Sequence, residues 1–412
     1  MAGGTEMAKS VIVVGGGASG MMAAGTAAER GRRVLLLEKN KILGRKIRIT
    51  GKGRCNLTNR TDVDGLVEHI PGNGRFLRSA FYRFGPEDLI AFFAAWGLET
   101  KTERGNRVFP VSDVSADVVR ALERFLRAGG VEIRLDCPVA HLVADGQIRG
   151  VRLRDGTELP ADSVVLATGG ASYPGTGTTG DGYRMAREVG HTIVPIRPSL
   201  VPLEVAEAWV PQLAGLSLRN VDLYALSPEG KALWHDRGEM LFTHFGVSGP
   251  LVLSASRHVV GCQGCRLRVD LKPALSEERL DARVQRDFQA ALRRQVANAL
   301  RDLLPHALIP VVLAEAGIAA EMPVHQVTRA QRQALVRTLK ALMLTVTQPR
   351  PFSEAIVTAG GVAVGEVDPR TMESKIVQGL FLTGEVLDVD AYTGGYNLQI
   401  AFTTGRVAGE SV

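Results

Sequence analysis

A short apolar run, Ser10–Val14, ends in Gly15-Gly16-Gly17-Ala18-Ser19-Gly20, and the small-residue stretch 19–30 that follows reads as a helix. A second apolar run, Arg33–Leu37, closes on Glu38. This succession constrains the fold more than any other feature of the chain. Brief β-branched runs bounded by glycine predict strands buried on both faces, as in a parallel sheet. A G-x-G-x-x-G loop between strand and helix needs its glycines for three separate reasons. Gly15 makes the tight turn, Gly17 leaves the backbone open to close approach, and Gly20 lets helix and strand pack. The helix N-terminus offers unpaired N–H groups and partial positive charge, the complement of a pyrophosphate. Glu38, eighteen residues beyond Gly20, is placed to bind a ribose hydroxyl pair and would repel a 2′-phosphate. Gly15, Gly16, Gly17, Ala18, Ser19, Gly20 and Glu38 are therefore expected to hold a dinucleotide.

Three further segments favour FAD over NAD. Residues 42–59 form a basic, glycine-rich connection whose Thr50-Gly51-Lys52-Gly53-Arg54-Cys55-Asn56 could line pyrophosphate and ribitol. Residues 163–167 read as a buried strand ending at Thr168-Gly169-Gly170, and Leu382-Thr383-Gly384-Glu385 is a third strand end. Chain ends so far apart suit a long dinucleotide lying extended. Finally, Gly394-Gly395-Tyr396-Asn397 precedes a helical stretch at 398–408. Its N-terminus would turn positive dipole toward the ligand, and at the pyrimidine edge of a flavin it would stabilise the reduced anion.

The rest of the chain organises around this. Residues 87–96 and 114–128 read as helices, the second capped by Ser112 or Asp113. Residues 131–135 and 141–143 read as strands, and 147–153 with 157–159 as a hairpin about Asp155-Gly156. Near Pro195 the texture changes. Alternating segments such as 218–226 and 267–271 predict an antiparallel insert, and 276–304 and 329–342 are amphipathic helices. The expected fold class is α/β, with a nucleotide-binding domain at 1–196 and 353–412. A β-rich insert would occupy 197–272 and 330–352, and a helical part 273–329.

Composition narrows the classes. Across 412 residues, 45% hydrophobic and 22% charged exclude disordered and fibrous chains. The net charge of +6 fits an anionic cofactor, but the cations are scattered and aromatic residues make up only 5%. That is poor material for a base-stacking surface, so nucleic acid is not expected as a partner. No apolar run approaches a membrane span and residues 1–10 lack an apolar leader core, so a cytoplasmic, non-membrane protein is expected. Four cysteines make no disulfide framework. Cys262-Gln263-Gly264-Cys265 lacks a second pair for zinc and reads as a turn with two small apolar residues; no metal site is expected. Cys55 stands beside Arg54, where a cation could lower its pKa, although a packed loop thiol is the better reading. His244, Tyr173 and Tyr392 are the candidate catalytic side chains. His244 could exchange a proton or be a satisfied structural histidine; the tyrosines could donate to a carbonyl or merely pack.

Together these segments resemble the HI0933-like flavoproteins, also known as the BaiN or aminoacetone oxidase family of NAD(P)/FAD-dependent oxidoreductases. The resemblance runs from about Val11 to Gly409. It includes Gly44-Arg45-Lys46, residues 51–59, Arg107-Val108-Phe109-Pro110, Ser172-Tyr173-Pro174, Thr179-Gly180-Asp181-Gly182, and residues 198–202, 242–250 and 384–397. Lys52 stands where many relatives have glycine. The resemblance implies a two-dinucleotide-binding-domain FAD fold with an inserted β-barrel-like subdomain and a helical subdomain. It further implies FAD contacts from Lys39, Arg45, Lys46, Arg54, Cys55, Asn56, Val139, Thr168, Gly169, Gly384, Glu385, Gly395, Tyr396, Asn397 and Leu398. NAD(P)H would be a transient reductant, since no second G-x-G-x-x-G follows a strand. The implied reaction is hydride transfer between flavin and a small or steroid-like organic substrate held between the FAD domain and the insert. Two alternatives stand beside it: an oxygen-using amine oxidase of the aminoacetone type, and a flavin-containing redox sensor that binds RNA or protein.

Overall fold

The structure, a computed structural model, describes residues 9–412. The reading of the extreme N-terminus as leaderless falls largely on residues 1–8, outside the described residues. The chain divides into two units, residues 1–198 with 355–412, and residues 199–354.

In the first unit five parallel strands lie in the order Leu380–Leu382, Ser163–Leu166, Ser10–Val14, Arg33–Leu37, Glu132–Arg134. The central strand sits beside two others, and Val11 to Val14 are all buried, which is why its sequence is apolar without alternation. Helix Ala18–Glu29 follows the glycine loop, and the C-terminal helix Tyr396–Ser411 packs against it. A Cβ at Gly409 would lie 2.5 Å from the Ala23 carbonyl oxygen, and one at Gly405 would meet Ser19 backbone more closely still. The two helices thus touch backbone to backbone, and small residues in both sequences permit it. Helix Ser115–Ala128 buries Val118, Leu122, Phe125 and Leu126.

Two local expectations are corrected here. The 115–128 helix has Val114 at its cap position with no side-chain bond. The Ser112 hydroxyl instead accepts from Val114 N (3.3 Å) and donates to Asp117 (2.6 Å). The 42–59 connection is not merely loop: it contains helix Arg45–Ile49 and strand Thr58–Asn59, elements too short to leave a period in the sequence. The hairpin about Asp155-Gly156 forms as expected, within the three-stranded sheet Val139–Ala144, Ile148–Leu153, Glu158–Pro160.

The second unit is built on a closed six-stranded barrel, in the order Leu203–Val205, Gly246–Ser248, Ala232–Phe242, Ser217–Leu226, Arg266–Asp270, Leu342–Pro349. Leu223, Ala225, Leu267, Val269 and Leu344 are buried in its core. Helices Glu277–Ala290 and Arg329–Lys340 start at Ser276, which accepts from Arg279 N, and at a Thr328–Gln331 capping box. The 276–304 stretch is not one helix: it ends at Ala290, and a single turn, Val296–Ala299, follows. The C-x-x-C segment is likewise corrected. Its tight turn brings the Cα atoms of Cys262 and Cys265 within 5.7 Å, and the two form a disulfide. Among the described residues no helix is long and apolar enough to cross a membrane. The fold class is the expected one, a Rossmann-type sheet with a barrel and helices.

Candidate cofactor and active site

The glycine loop lies open on one side and closed on the other. Gly15 holds φ at 110°, and a Cβ there would approach the Ala167 carbonyl oxygen to 2.5 Å. A Cβ on Gly20 would collide with the Gly15 carbonyl, so Gly20 closes strand against helix and does not line the cavity. Around Gly17 a Cβ would meet nothing within 4 Å. Gly17 is also the N-cap of helix Ala18–Glu29, so the open side coincides with unpaired helical N–H groups. Gly15, Gly16, Gly17, Ala18 and Ser19 all line a large cleft in the first unit.

Glu38 is buried at the edge of this cleft. Its Oε2 accepts from Gly16 N (2.7 Å), and its Oε1 from Asn40 N and Nδ2 (both 2.7 Å). A carboxylate offers about four lone-pair positions, so one remains for a ligand hydroxyl. Lys39 donates to Asp181 (2.5 Å) and Thr179 (2.7 Å), and Arg45 to Asn40 (3.1 Å). Lys46 donates to Ser172 Oγ (2.6 Å) and Glu385 Oε2 (2.7 Å), while Glu385 Oε1 also accepts from Thr358 N (2.8 Å). Lys46 and Glu385 thus present a mutually neutralised pair to the cleft. Val139, Thr168, Gly169, Asn397 and Leu398 line it too. Thr168 Oγ1 is buried without a hydrogen-bond partner. Asn397 accepts from Ala391 N (2.9 Å) and donates to Ala391 O (2.8 Å) and Tyr392 O (3.3 Å), pinning the loop before the C-terminal helix. An open glycine cradle at a helix N-terminus, a spare carboxylate position and an orphaned hydroxyl fit a dinucleotide.

Several expected residues stand apart from the cleft lining. Arg54 pairs with Glu103 and with Asp113 (2.6 Å) and lies 4.2 Å from the Phe109 ring centre. These partners hold both acids below the usual carboxylate range, through hydrogen bonds from Arg54 and, for Asp113, first from Lys101. Cys55 is fully buried and its thiol is pushed up to about 12 by that burial, in agreement with the packed loop thiol rather than with activation by Arg54. Asn56 Oδ1 is buried without a partner, outside the lining. Gly384 lies beneath Ser19, and Gly395, at φ 103°, is the N-cap of the C-terminal helix against Thr58 backbone. Tyr396 stacks on His69, ring centres 4.4 Å apart, and burial pushes its hydroxyl up to about 12.

None of the three catalytic candidates lines the cleft. Tyr173 is half-buried with φ 51°, its carbonyl accepting from Thr176 N and Oγ1 (both 2.8 Å). Tyr392 donates from its backbone N to His69 O (3.0 Å) and lies edge-on to His69. His244 is exposed in the turn between Ala232–Phe242 and Gly246–Ser248 of the second unit, edge-on to Phe245; it is not a buried structural histidine. Of the segment 50–56 expected to line the cofactor, Thr50 does line the cleft; sequence reading missed Asn40, Thr176, Thr178 and Val389. Asn40 alone had a local signal, standing two residues past the acid that it holds. His69 had none, because its ring partners lie more than three hundred residues away.

Comparison with known proteins follows the same lines. The family model described as HI0933-like protein Rossmann domain matches residues 9–411. The chain is 37% identical over 406 residues, 97% of it and 98% of the relative, to the 3-dehydro-bile acid delta(4,6)-reductase of Clostridium scindens. It is 32% identical to the ribosomal RNA dihydrouridine synthase of Escherichia coli, over 95% of both chains. Among solved structures, 3-ketosteroid delta1-dehydrogenase from Sterolibacterium denitrificans superposes with a TM-score of 0.53 at 14% identity, covering 97% of this chain and 99% of that one, a likeness of fold. The chain belongs to the HI0933-like family and is an FAD-dependent oxidoreductase.

Proposed function

We propose that the chain reduces a carbon–carbon double bond conjugated to a carbonyl group in a steroid-like substrate, with NAD(P)H as reductant. The observation that carries this is the 37% identity, over nearly the whole of both chains, to a bile acid delta(4,6)-reductase. A dihydrouridine synthase also adds two hydrogens across a double bond conjugated to a carbonyl, so the two kinds of relative share one chemistry. FAD, when bound, supplies the hydride acceptor and donor.

The chain's own residues bind and orient. The open face of Gly17 and the N-terminus of helix Ala18–Glu29 would take the pyrophosphate. Glu38 and Asn40 would hold the adenosine ribose, and the unpartnered Thr168 hydroxyl a hydroxyl of the ribityl chain. The Lys46–Glu385 pair keeps that wall of the cleft neutral. Asn397 fixes residues 391–392, so the N-terminus of helix Tyr396–Ser411 keeps its positive end toward the cleft. Donors held in place before charge develops lower a barrier by roughly 3 kcal/mol each. Tyr173, Tyr392 and His244 are the candidates for a proton or hydrogen bond to substrate. The reading also places the protein in the cytoplasm.

The test is anaerobic. The flavin should bleach with NADH or NADPH and regain colour on adding a 3-oxo-Δ4 steroid, with a product two mass units heavier. Reoxidation by oxygen with an amine donor, and no response to nicotinamide nucleotides, would replace this reading with the amine oxidase. A second reading, uridine in ribosomal RNA as substrate, is favoured by the 32% relative. Dihydrouridine formed in ribosomal RNA on incubation, with steroid enones inert, would select it.

A further inference from the structure

Residues 39–61 carry eight cationic side chains and no acidic one. Acids from elsewhere in the unit answer five of them: Asp181 for Lys39, Glu385 for Lys46, Glu123 for Arg48, Glu103 and Asp113 for Arg54, and Glu87 for Arg60. Arg45 donates to neutral Asn40. Lys41 and Lys52 have no partner among the described residues.

Lys52 is set apart by its backbone. Gly51, Lys52 and Gly53 hold φ at 61°, 58° and 86°, three left-handed residues in a row. Gly53 N and Arg54 N donate to Thr50 O and Gly51 O (both 3.2 Å), closing a left-handed turn. Glycine enters such a turn freely, whereas a residue with a Cβ is strained there. The lysine side chain is exposed, and among the described residues no hydrogen bond or ion pair of that side chain offsets the strain. Its neighbours point to what does. Lys46, Ile47 and Thr50 line the cleft, the last only two residues away. Ile49 is 46% exposed, and Val114, next to the Ser115 N that donates to Gly53 O (2.8 Å), is 44% exposed. Lys52 itself does not line the cleft, but a free cation beside exposed aliphatic side chains, two residues from the lining residue Thr50, complements an apolar molecule with an anionic end that reaches out of the cleft.

We propose that Lys52 is a specificity-determining residue that binds an oxyanion, either the carboxylate of an apolar acid substrate or a phosphate of the nicotinamide nucleotide. This rests on the reading that such molecules meet the flavin at this cleft. Lys52→Gly, Lys52→Gln and Lys52→Arg are compared in the FAD-loaded protein. Affinities are read without turnover, from ligand-induced changes in the flavin spectrum. The probes are a 3-oxo-Δ4 steroid carboxylic acid, its methyl ester, NADPH and NADH. Lys52→Gly should melt roughly 2 °C higher, through relief of strain. It and Lys52→Gln should bind one oxyanion class ~5-fold more weakly, the scale of an exposed ion pair, and Lys52→Arg should restore it. Weaker binding of the acid but not the ester identifies the carboxylate; weaker binding of the nucleotides alone identifies the phosphate. Unchanged affinity for every probe, or no binding of any probe by the wild type, overturns the proposal. A wild type that binds the acid through Lys52 yet does not reduce it removes the reductase reading and leaves this one standing.

Discussion

Cys55 and Cys137 carry the same thiol in opposite surroundings. Cys55 is sealed in the core with its pKa pushed to about 12, whereas Cys137 is half-buried and lines the cofactor cleft. Burial raises Cys137 as well, with Arg134 pulling the other way. Native protein stripped of FAD should therefore take up iodoacetamide at Cys137 and not at Cys55, by peptide mass spectrometry. FAD should protect Cys137. Modification of Cys55 in folded protein would contradict its burial. Glu38→Ala removes the acceptor that orders Gly16 N and Asn40 together. FAD retention should fall at least ~10-fold, the scale of a lost charge-assisted bond, measured by the flavin-to-protein absorbance ratio; full occupancy would remove Glu38 from the ribose site. At this scale the sequence was legible where the chemistry is local. The glycine loop and Glu38 lie within one βαβ unit. The ion pairs of Arg54 were not legible, because its acids arrive from residues 103 and 113.

Two elements act as a unit around the cleft: the helix after the glycine loop and the C-terminal helix. Gly405 sits where a side chain would strike Ser19 backbone. Gly405→Val should force the helices apart and cost about 1–3 kcal/mol of stability, with FAD lost alongside because Leu398, Ile400 and Ala401 line the cleft. A stable, fully flavinylated Gly405→Val protein would contradict the backbone-to-backbone packing. A second device ties the 366–374 loop to the segment that follows helix Asp181–Glu188. His191 is buried, its Nδ1 bonded to Glu366 and its Nε2 to Ser374 (both 2.9 Å). Burial lowers its pKa, against an opposing pull from Glu366. A histidine depressed in the folded state stabilises above its unfolded value of about 6.5, and that contribution is lost as pH falls below it. The melting temperature should therefore drop between pH 7.5 and pH 5.5, and more in the wild type than in His191→Gln. Parallel pH curves would deny His191 this part. The long periodic elements were legible because burial imposes their pattern. The break in the 276–304 helix and the Val114 cap were not, since turn geometry decides both.

For the molecule as a whole, the sequence carried the Rossmann-type sheet, the change to antiparallel structure and the return to parallel strands. The alternating segments alone did not show the barrel, whose closure depends on pairings between Leu203–Val205 and Leu342–Pro349, far apart in the chain; the family resemblance implied the barrel-like subdomain that is found. Nor did it show the Cys262–Cys265 disulfide, where spacing allows a turn but only the backbone path brings the Cα atoms together. The modest net charge of +6 was a poor guide to partners, since most cations near the cleft are neutralised within the fold. The central claim is an FAD site that accepts electrons from a nicotinamide nucleotide and passes them to a conjugated double bond. One anaerobic absorption experiment addresses it most directly, adding NADPH or NADH to the purified protein and then a 3-oxo-Δ4 steroid. The account predicts a yellow protein that bleaches with the nucleotide and recovers its colour with the steroid. A colourless protein that takes up no FAD would contradict it.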